Sequence, residues 1–224
     1  MRPVLRSVKE IHGSHLRATD GEIGHVADVL FDDQSWRVRY MVADTGGWLP
    51  GRQVLIAPQA IAGIGEVVEV RLSRAQVEDA PAAETDLPVS RQHEAELAAH
   101  YGWDPWWTTT GDPLDPGAVL LPPPDLSPDE DESAHGDPHL RSAREVIGYH
   151  VHATDGEIGH VADFLLDEGS WAIRSALVDT RHWHRGPLVV LDLALIQRIE
   201  WLESAVYVSV DRDAVRRAPV HRSS

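Results

Sequence analysis

An exact internal repeat is the feature that most constrains the fold of this chain. The segment ATDGEIGHVAD occurs at Ala18–Asp28 and again, without any change, at Ala153–Asp163. The match extends well beyond this core: at a constant offset, Leu5–Ile61 lies over Leu140–Ile196 without gaps. About half of these aligned positions are identical, which is far more than chance produces and indicates a duplicated structural unit.

The repeat also defines the domain boundaries. After three extra residues in the second half, Val68–Pro81 continues over Val206–Pro219. We therefore predict two copies of one domain of about 80 residues, copy one at 1–81 and copy two at 139–221, with a linker at 82–138. Two copies of one fold more often form a paired binding surface than a single catalytic cleft.

The composition limits the function classes. The 224 residues include no cysteine and carry a formal charge of −16, from 36 acidic and 20 basic side chains. The absence of cysteine excludes disulfides, thiol nucleophiles and thiolate metal sites. An acidic surface repels phosphate backbones and anionic lipid head groups, so we expect no nucleic-acid partner. Without a long apolar run or a secretory signal, we expect no membrane insertion and a cytoplasmic location.

Each copy has the pattern of short strands joined by tight turns. The Asp-Gly dipeptides at 20–21 and 155–156 predict hairpin turns, and Gly24 and Gly159 indicate a bend or bulge in the strand that follows. Apolar residues on both faces of that strand are expected in a small closed barrel. The other strands are predicted at Trp36–Asp44, Gln53–Ala57, Val67–Leu72, Trp171–Asp179, Pro187–Leu193 and Ala205–Val210.

Two further local patterns predict structure, the first in both copies and the second in copy one. Ser73 and Asp211 have the positions of N-cap residues for helices of one to two turns that end at Pro81 and Pro219. On the strand that begins at Trp36, alternation predicts that Arg37 and Arg39 point away from the apolar face. The fold class is therefore all-β: two small barrels in tandem, each with a short helical turn at its C-terminal end.

The linker has two parts of different character. Val89–His100 is predicted to be helical, with Ser90 as a candidate N-cap, and four large aromatic residues follow at once: Tyr101, Trp103, Trp106 and Trp107. From Thr108 to about Pro138, proline and acidic residues predict an extended tether that lets the copies adjust their spacing. The aromatic cluster is either a clasp folded onto the barrels or an anchor for a partner, and we favour the clasp.

The repeated motif resembles a known family. A DG turn, then IGHVADVLFD, an aromatic-led strand, a VLIAP strand and a closing EVVEVRLSRAQVEDAP are similar to the PRC-barrel domain. This small β-barrel occurs in the cytoplasmic part of the photosynthetic reaction centre H subunit and in a ribosome-maturation factor. The linker's PVSRQHEAELAAHYGWDPWW is similar to the segment that follows the first barrel in bacterial tandem PRC-barrel proteins. The resemblance implies a docking or assembly module and supplies no catalytic residue.

Several residues are candidates for site chemistry. His150 and His152 alternate along a strand, and His182 and His184 flank Trp183, so these pairs suggest a zinc or nickel site; solvated surface histidines are the favoured alternative. The repeated motif places His25 beside Asp28, and likewise His160 beside Asp163. Such pairs either act as pH-sensitive contacts or satisfy hydrogen bonds at the barrel rim, and we favour the second. We expect the aspartates to bond turn amides: Asp28, Asp44, Asp163 and Asp179.

No pattern of a known catalytic site is found. Ser14, Ser35, Ser170 and Ser175 lie outside any G-x-S-x-G elbow, and the chain has no P-loop, G-x-G-x-x-G or H-E-x-x-H motif. We therefore predict no enzymatic activity, no cofactor and no metal site. The leading hypothesis is a scaffold that binds protein partners or a second copy of itself through avidity. The alternatives are a small-ligand or metal sensor that uses histidines of copy two, and an accessory of a membrane electron-transfer complex.

Overall fold

The computed structural model describes residues 4–83, 91–102, 139–181 and 188–221. Copy one contains β1 (Leu5–Ser7), α1 (Val8–Ile11), β2 (His15–Ala18), β3 (Gly21–Asp32), β4 (Val38–Asp44), β5 (Gln53–Ile56), β6 (Ile61–Ile64), β7 (Val67–Val70) and α2 (Arg74–Glu78). The linker contributes β8 (Ala82–Ala83) and α3 (Arg91–Tyr101). Copy two contains β9 (Leu140–Ser142), α4 (Ala143–Val146), β10 (His150–Ala153), β11 (Gly156–Asp167), β12 (Ala172–Asp179), β13 (Val189–Asp192), β14 (Ile196–Glu200), β15 (Ala205–Val208) and α5 (Arg212–Arg216).

The described chain is mostly β, as predicted, and its strands form two sheets. The copy-one sheet runs β6-β7-β2-β3-β4-β5-β8, and the copy-two sheet runs β13-β12-β11-β10-β15-β14. Neighbours pair antiparallel except β2 with β7 and β10 with β15, which are parallel. Among the described strands, no hydrogen-bonded pair joins β6 to β8 or β13 to β14, so neither sheet closes on itself. The predicted strands and hairpins are confirmed; barrel closure is not.

The glycine inside the repeated motif is required by a close backbone approach. Gly24 has a φ of +123°, and the ladder between β2 and β3 shifts register beside it. A Cβ atom at this position would lie 1.9 Å from the carbonyl oxygen of Asp44 on β4. Gly159 repeats the arrangement, with a φ of +135° and the same 1.9 Å distance to the carbonyl oxygen of Asp179. The predicted bend at these positions is confirmed, and only glycine fits it without strain.

The two copies exchange their first strands. β1 of copy one pairs antiparallel with the end of β11 in copy two, from Leu5 opposite Asp167 to Ser7 opposite Leu165. In return, β9 of copy two pairs with the end of β3 in copy one, from Leu140 opposite Asp32 to Ser142 opposite Leu30. Each sheet therefore contains one strand from the other copy, and the two copies form one interlocked body.

Aromatic side chains fill the junction between the copies. Phe31 and Phe164 are fully buried with ring centroids 5.4 Å apart, and Trp36 stacks on Phe31 at 5.5 Å. Trp36 and Trp171 hold φ values of 56° and 54°, which bulky residues rarely adopt. In this conformation the Trp171 carbonyl accepts from the Val38 amide and the Trp36 carbonyl from the Ile173 amide, both at 2.8 Å. The reciprocal bonds between copies hold this strained backbone in place.

The linker residues nearest copy one pack onto it. β8 extends the copy-one sheet by pairing with β5. On α3, Leu97 is 1% exposed and packs in a cluster with four residues of copy one: Tyr40, Val42, Leu55 and Ala57. The imidazole of His100 also forms a hydrogen bond of 3.0 Å with the Gln76 carbonyl. The predicted helix is confirmed from Arg91 onwards, and the candidate N-cap Ser90 lies outside the described residues. The predicted tether at 108–138 lies outside the described residues, and exchanged strands and a shared core set the relative position of the copies.

Arg39 was predicted to point away from the apolar face, but its side chain is buried. It is 2% exposed and lies 3.8 Å from the carboxylate of Asp32, which is also buried. The cause is a register shift in the β3–β4 ladder, where Leu30 faces Tyr40 and Phe31 faces Val38. This bulge inverts the alternation that the sequence pattern assumes.

Candidate functional site: the junction between the copies

The aspartate of the repeated motif joins one copy to the other. The carboxylate of Asp163 accepts from the Ser7 hydroxyl and from the Lys9 amide at 3.1 Å, and both residues belong to copy one. Asp28 accepts from the Ser142 hydroxyl and from the Arg144 amide at 3.1 Å, both in copy two. Each carboxylate also accepts from the amide of the next residue in its own strand at 2.7 Å. Asp28 and Asp163 were predicted to bond turn amides. The amides they bond instead lie in their own strands and in a helix of the other copy, at Lys9 and Arg144.

Removing one of these carboxylates should weaken the junction. Asp163 is buried and accepts three hydrogen bonds, so Asp163→Ala leaves the Ser7 hydroxyl and two amides without that acceptor. We expect the free energy of unfolding to fall by about 2–3 kcal/mol, measured by urea denaturation. Asp192 is the matched control, since it is an exposed N-cap with one bond to the Ala194 amide. Asp192→Ala should cost about 1 kcal/mol, and an equal loss in both variants would contradict the junction role.

The predicted histidine–aspartate pairs involve different aspartates. His25 Nε2 lies 3.8 Å from a carboxylate oxygen of Asp44 on β4, rather than against Asp28. In copy two, His160 Nε2 lies 3.9 Å from Asp179. Since His25 faces Asp44 across the ladder, their proximity depends on strand register, which spacing along the sequence does not reveal. The expected amide bonds of these aspartates are confirmed: the Gly46 amide donates to Asp44, and the Arg181 amide donates to Asp179.

A single arginine makes the surroundings of Asp179 in copy two electrostatically different from those of Asp44 in copy one. The Arg181 guanidinium binds the Asp179 carboxylate and, with the Arg181 amide, lowers the pKa of this buried carboxyl to about 2, against the opposing effect of burial. Copy one has Gly46 at the equivalent position and no such cation. The stabilisation is complete at neutral pH, where the carboxylate is charged in both folded and unfolded chains. It declines as the pH falls below the ordinary value near 4 towards 2.

The variant Arg181→Gly tests this assignment by installing the residue of copy one. We expect the pKa of Asp179 to rise from about 2 towards the ordinary value, measured by carboxyl NMR titration. The unfolding free energy should then depend less on pH in the acid range. Asp167 is the internal control, because its pKa is lowered by Ser170 and Arg174 and should not move. An unchanged titration of Asp179 would contradict the role of Arg181.

The histidines proposed for metal binding have other contacts. His150 Nδ1 lies 2.8 Å from a carboxylate oxygen of Glu157 and lowers the pKa of that group, while His152 stacks on Tyr207 with centroids 5.3 Å apart. His182 and His184 lie outside the described residues. In the part of the chain that the structure covers, no group of three or more His, Cys, Asp or Glu side chains is arranged to hold a metal ion.

The serines considered as nucleophiles have local partners. Ser35 and Ser170 occupy equivalent turns, where their hydroxyls donate at 2.7 Å to the carboxylates of Asp32 and Asp167. The hydroxyl of Ser14 donates to the Glu10 carbonyl at 3.1 Å, and Ser175 is buried on β12. The structure therefore assigns Ser14, Ser35 and Ser170 contacts that organise turns.

Of the four aromatic residues in the linker, Tyr101 lies among the residues that the structure describes. Its ring lies half-buried at the end of α3 against the core clusters of copy one, edge-on to His100 at 4.7 Å. Burial raises the pKa of its hydroxyl above the usual range. This packing is the kind that a clasp requires. Trp103, Trp106 and Trp107 lie outside the described residues, so clasp and partner anchor both stay predictions.

An exposed apolar hairpin tip was missed in the sequence. Trp201 and Leu202, at the turn between β14 and β15, are 53% and 98% exposed. Two hydrogen bonds hold the tip: Trp201 Nε1 donates to Glu145 at 2.6 Å, and the Ser204 amide donates to the Trp201 carbonyl at 3.0 Å. The equivalent turn of copy one is shorter and carries Gly65 and Glu66. The sequence contained an indication of this tip, because the three extra residues of copy two fall at this turn.

Comparisons with known proteins add no family to this geometry. No protein-family model matches the chain, and a search of curated proteins finds no match. Within the described residues, no helix combines the length and apolar character that crossing a membrane requires.

Proposed function

We propose that this chain is a non-enzymatic scaffold whose two PRC-like, partly open barrels interlock and present one protein-binding surface. The observation that carries the proposal is the exposed Trp201–Leu202 tip. Leaving such a pair in water is unfavourable, and tryptophan is enriched among the residues that dominate binding energy at protein interfaces. The bond from Trp201 to Glu145 holds the tip in one orientation before a partner arrives, which lowers the entropy cost of binding.

The charges around the tip define its partner. Glu200 and Glu203 flank Trp201 and Leu202, and the chain as a whole carries a formal charge of −16. Glu203 also accepts from the Tyr207 hydroxyl at 2.5 Å. Arg198 lies over the Tyr207 ring at 4.2 Å and its Nε lies 3.3 Å from a carboxylate oxygen of Glu200, so this cation pairs with one of the two flanking glutamates. An apolar centre with an acidic rim complements a protein that has an apolar pocket surrounded by basic residues.

The interlocked copies change the mechanism expected from the repeat. Avidity through two movable, equivalent faces requires copies that separate, whereas exchanged strands join these copies. Only copy two carries the long tip. We therefore favour one asymmetric surface, with copy one as its rigid support, and we keep the linker aromatics as a second candidate surface.

Site-specific photo-crosslinking tests the proposal in the full chain. The full chain, with a photoreactive residue at position 202, is expressed in its native host at the normal level. The residue should capture either a protein with a basic surface or a second copy of the chain. The matched control is position 66, the equivalent turn of copy one, which should capture none. Light scattering of the purified protein measures self-association separately. Neither an oligomer nor a captured protein at cellular concentration would overturn the scaffold proposal.

A second variant separates the two candidate surfaces. If Trp106→Ala/Trp107→Ala releases the captured protein while the fold is retained, the linker aromatics contribute the anchor. If capture at position 202 persists, the hairpin tip is sufficient. No observation in the described residues favours a metal sensor or an accessory of an electron-transfer complex.

A further inference from the structure

An apolar cleft of about 190 Å³ opens at the junction between the copies. Val8 and Val29 of copy one and Ile147 of copy two line its apolar part. Val8 and Val29 are buried in the shared core, whereas the other side of the cleft opens to solvent beside α1 and α4. The cleft exists only because the two copies interlock, so no single copy contains it.

Two cations stand at the rim of this cleft. Lys9 on α1 and Arg144 on α4 both line it and are exposed, and within the described residues neither side chain is assigned a hydrogen bond or ion pair. His12 lies at the same rim. The one acidic lining residue, Asp28, accepts from the Ser142 hydroxyl and from the backbone amides of Arg144 and Val29. The lining therefore holds two cations, Lys9 and Arg144, against one carboxylate, in a chain whose formal charge is −16.

The two copies differ where the cleft forms. Val29 corresponds to Phe164 in copy two, and Phe164 packs its ring against Phe31 and Trp36 across the junction. Copy two thus shows that this framework accepts phenylalanine at this position of the strand.

We propose that this cleft binds a small carboxylic acid with a compact aromatic or branched apolar body. The apolar body enters between Val8, Val29 and Ile147, and the carboxylate faces Lys9 and Arg144. A cavity of about 150 Å³ accommodates benzene in a well-studied protein, so the size suits a single ring with a short acidic arm. The bound acid contacts both copies and stabilises the interlocked state. This site is independent of the proposed scaffold surface at Trp201–Leu202.

Phenylacetate is the probe, and its neutral amide, phenylacetamide, is the matched control. We expect phenylacetate to bind the full-length protein with a Kd of about 1 mM or lower and to shift the methyl NMR signals of Val8, Val29 and Ile147. Phenylacetamide has nearly the same shape without the charge and should bind at least about tenfold more weakly. The melting temperature should rise with phenylacetate concentration.

Three variants test the assignment. Val29→Phe fills the cleft with the residue of copy two and should abolish binding, with the melting temperature reported to show that it folds. Lys9→Gln/Arg144→Gln keeps the apolar lining and should raise the Kd for phenylacetate about tenfold while leaving phenylacetamide unchanged. Arg217→Gln, at an exposed site at the end of α5, should have no effect. No methyl shifts with phenylacetate up to about 10 mM, equal binding of acid and amide, or full binding by Val29→Phe would each overturn the proposal.

Discussion

Replacing Gly24 with alanine is expected to lower the free energy of unfolding by more than about 3 kcal/mol. Two costs combine at this position. The backbone φ of +123° is one that residues with a Cβ atom rarely adopt, and the new methyl group would lie 1.9 Å from the carbonyl oxygen of Asp44. The contacting atom belongs to the backbone of β4, so the clash is relieved only by moving an interior strand of the copy-one sheet. Urea denaturation measures the loss.

Two other glycines separate the steric cost from the conformational one. Gly13 has a φ of +80° with nothing within 4 Å of the methyl group that alanine would add, so Gly13→Ala should cost about 1 kcal/mol for the backbone alone. Gly63 has open space and an ordinary φ, and Gly63→Ala should change stability by less than about 0.5 kcal/mol. If Gly24→Ala costs no more than Gly13→Ala, the close approach to β4 does not constrain the fold.

The chain is expected to unfold in one cooperative thermal transition, which Phe31→Ala lowers as a whole by about 10 °C. Phe31 is fully buried and contacts Trp36 of its own copy and Phe164 of the other. Removing such a ring leaves a cavity in the shared core and typically costs about 3–5 kcal/mol. Each kcal/mol corresponds to about 2–4 °C for a domain of this size.

Calorimetry distinguishes an interlocked body from two independent domains. The calorimetric and van't Hoff enthalpies should agree in the wild type and in Phe31→Ala. Leu202→Ala is the control, since this side chain is 98% exposed and its removal should shift the melting temperature by less than about 2 °C. Two separate transitions, with only one lowered in Phe31→Ala, would contradict the strand exchange.

The local elements were predictable because their causes are local. Asp20 and Gly21 predict the turn between β2 and β3 from backbone preference alone. Ser73 was expected as an N-cap, and in the structure its hydroxyl accepts from the Gln76 amide within a capping box that begins α2. Asp211 is likewise the N-cap of α5, and its carboxylate accepts a hydrogen bond from the Ala214 amide. These signals involve residues at most a few positions apart.

The junction was not predictable from these signals. Asp28 and Ser142 are separated by more than a hundred residues, and nothing in their local sequence states that one accepts a hydrogen bond from the other. The orientation of Arg39 depends on a bulge in the ladder, which alternation along one strand does not reveal. The apolar tip could have been recognised, because the extra residues of copy two include Trp201 and Leu202, but its exposure depends on the surrounding fold.

Repeat identity, turn dipeptides and cap residues act over short distances, so they are enough to predict a duplicated, mostly β protein. The interlocking of the copies is visible only in the three-dimensional structure. Strand exchange uses backbone hydrogen bonds, which every residue can form, so the sequence does not state which copy a strand completes. The choice comes from contacts between distant residues: the buried rings of Phe31 and Phe164, and the carboxylates of Asp28 and Asp163, which bind the other copy.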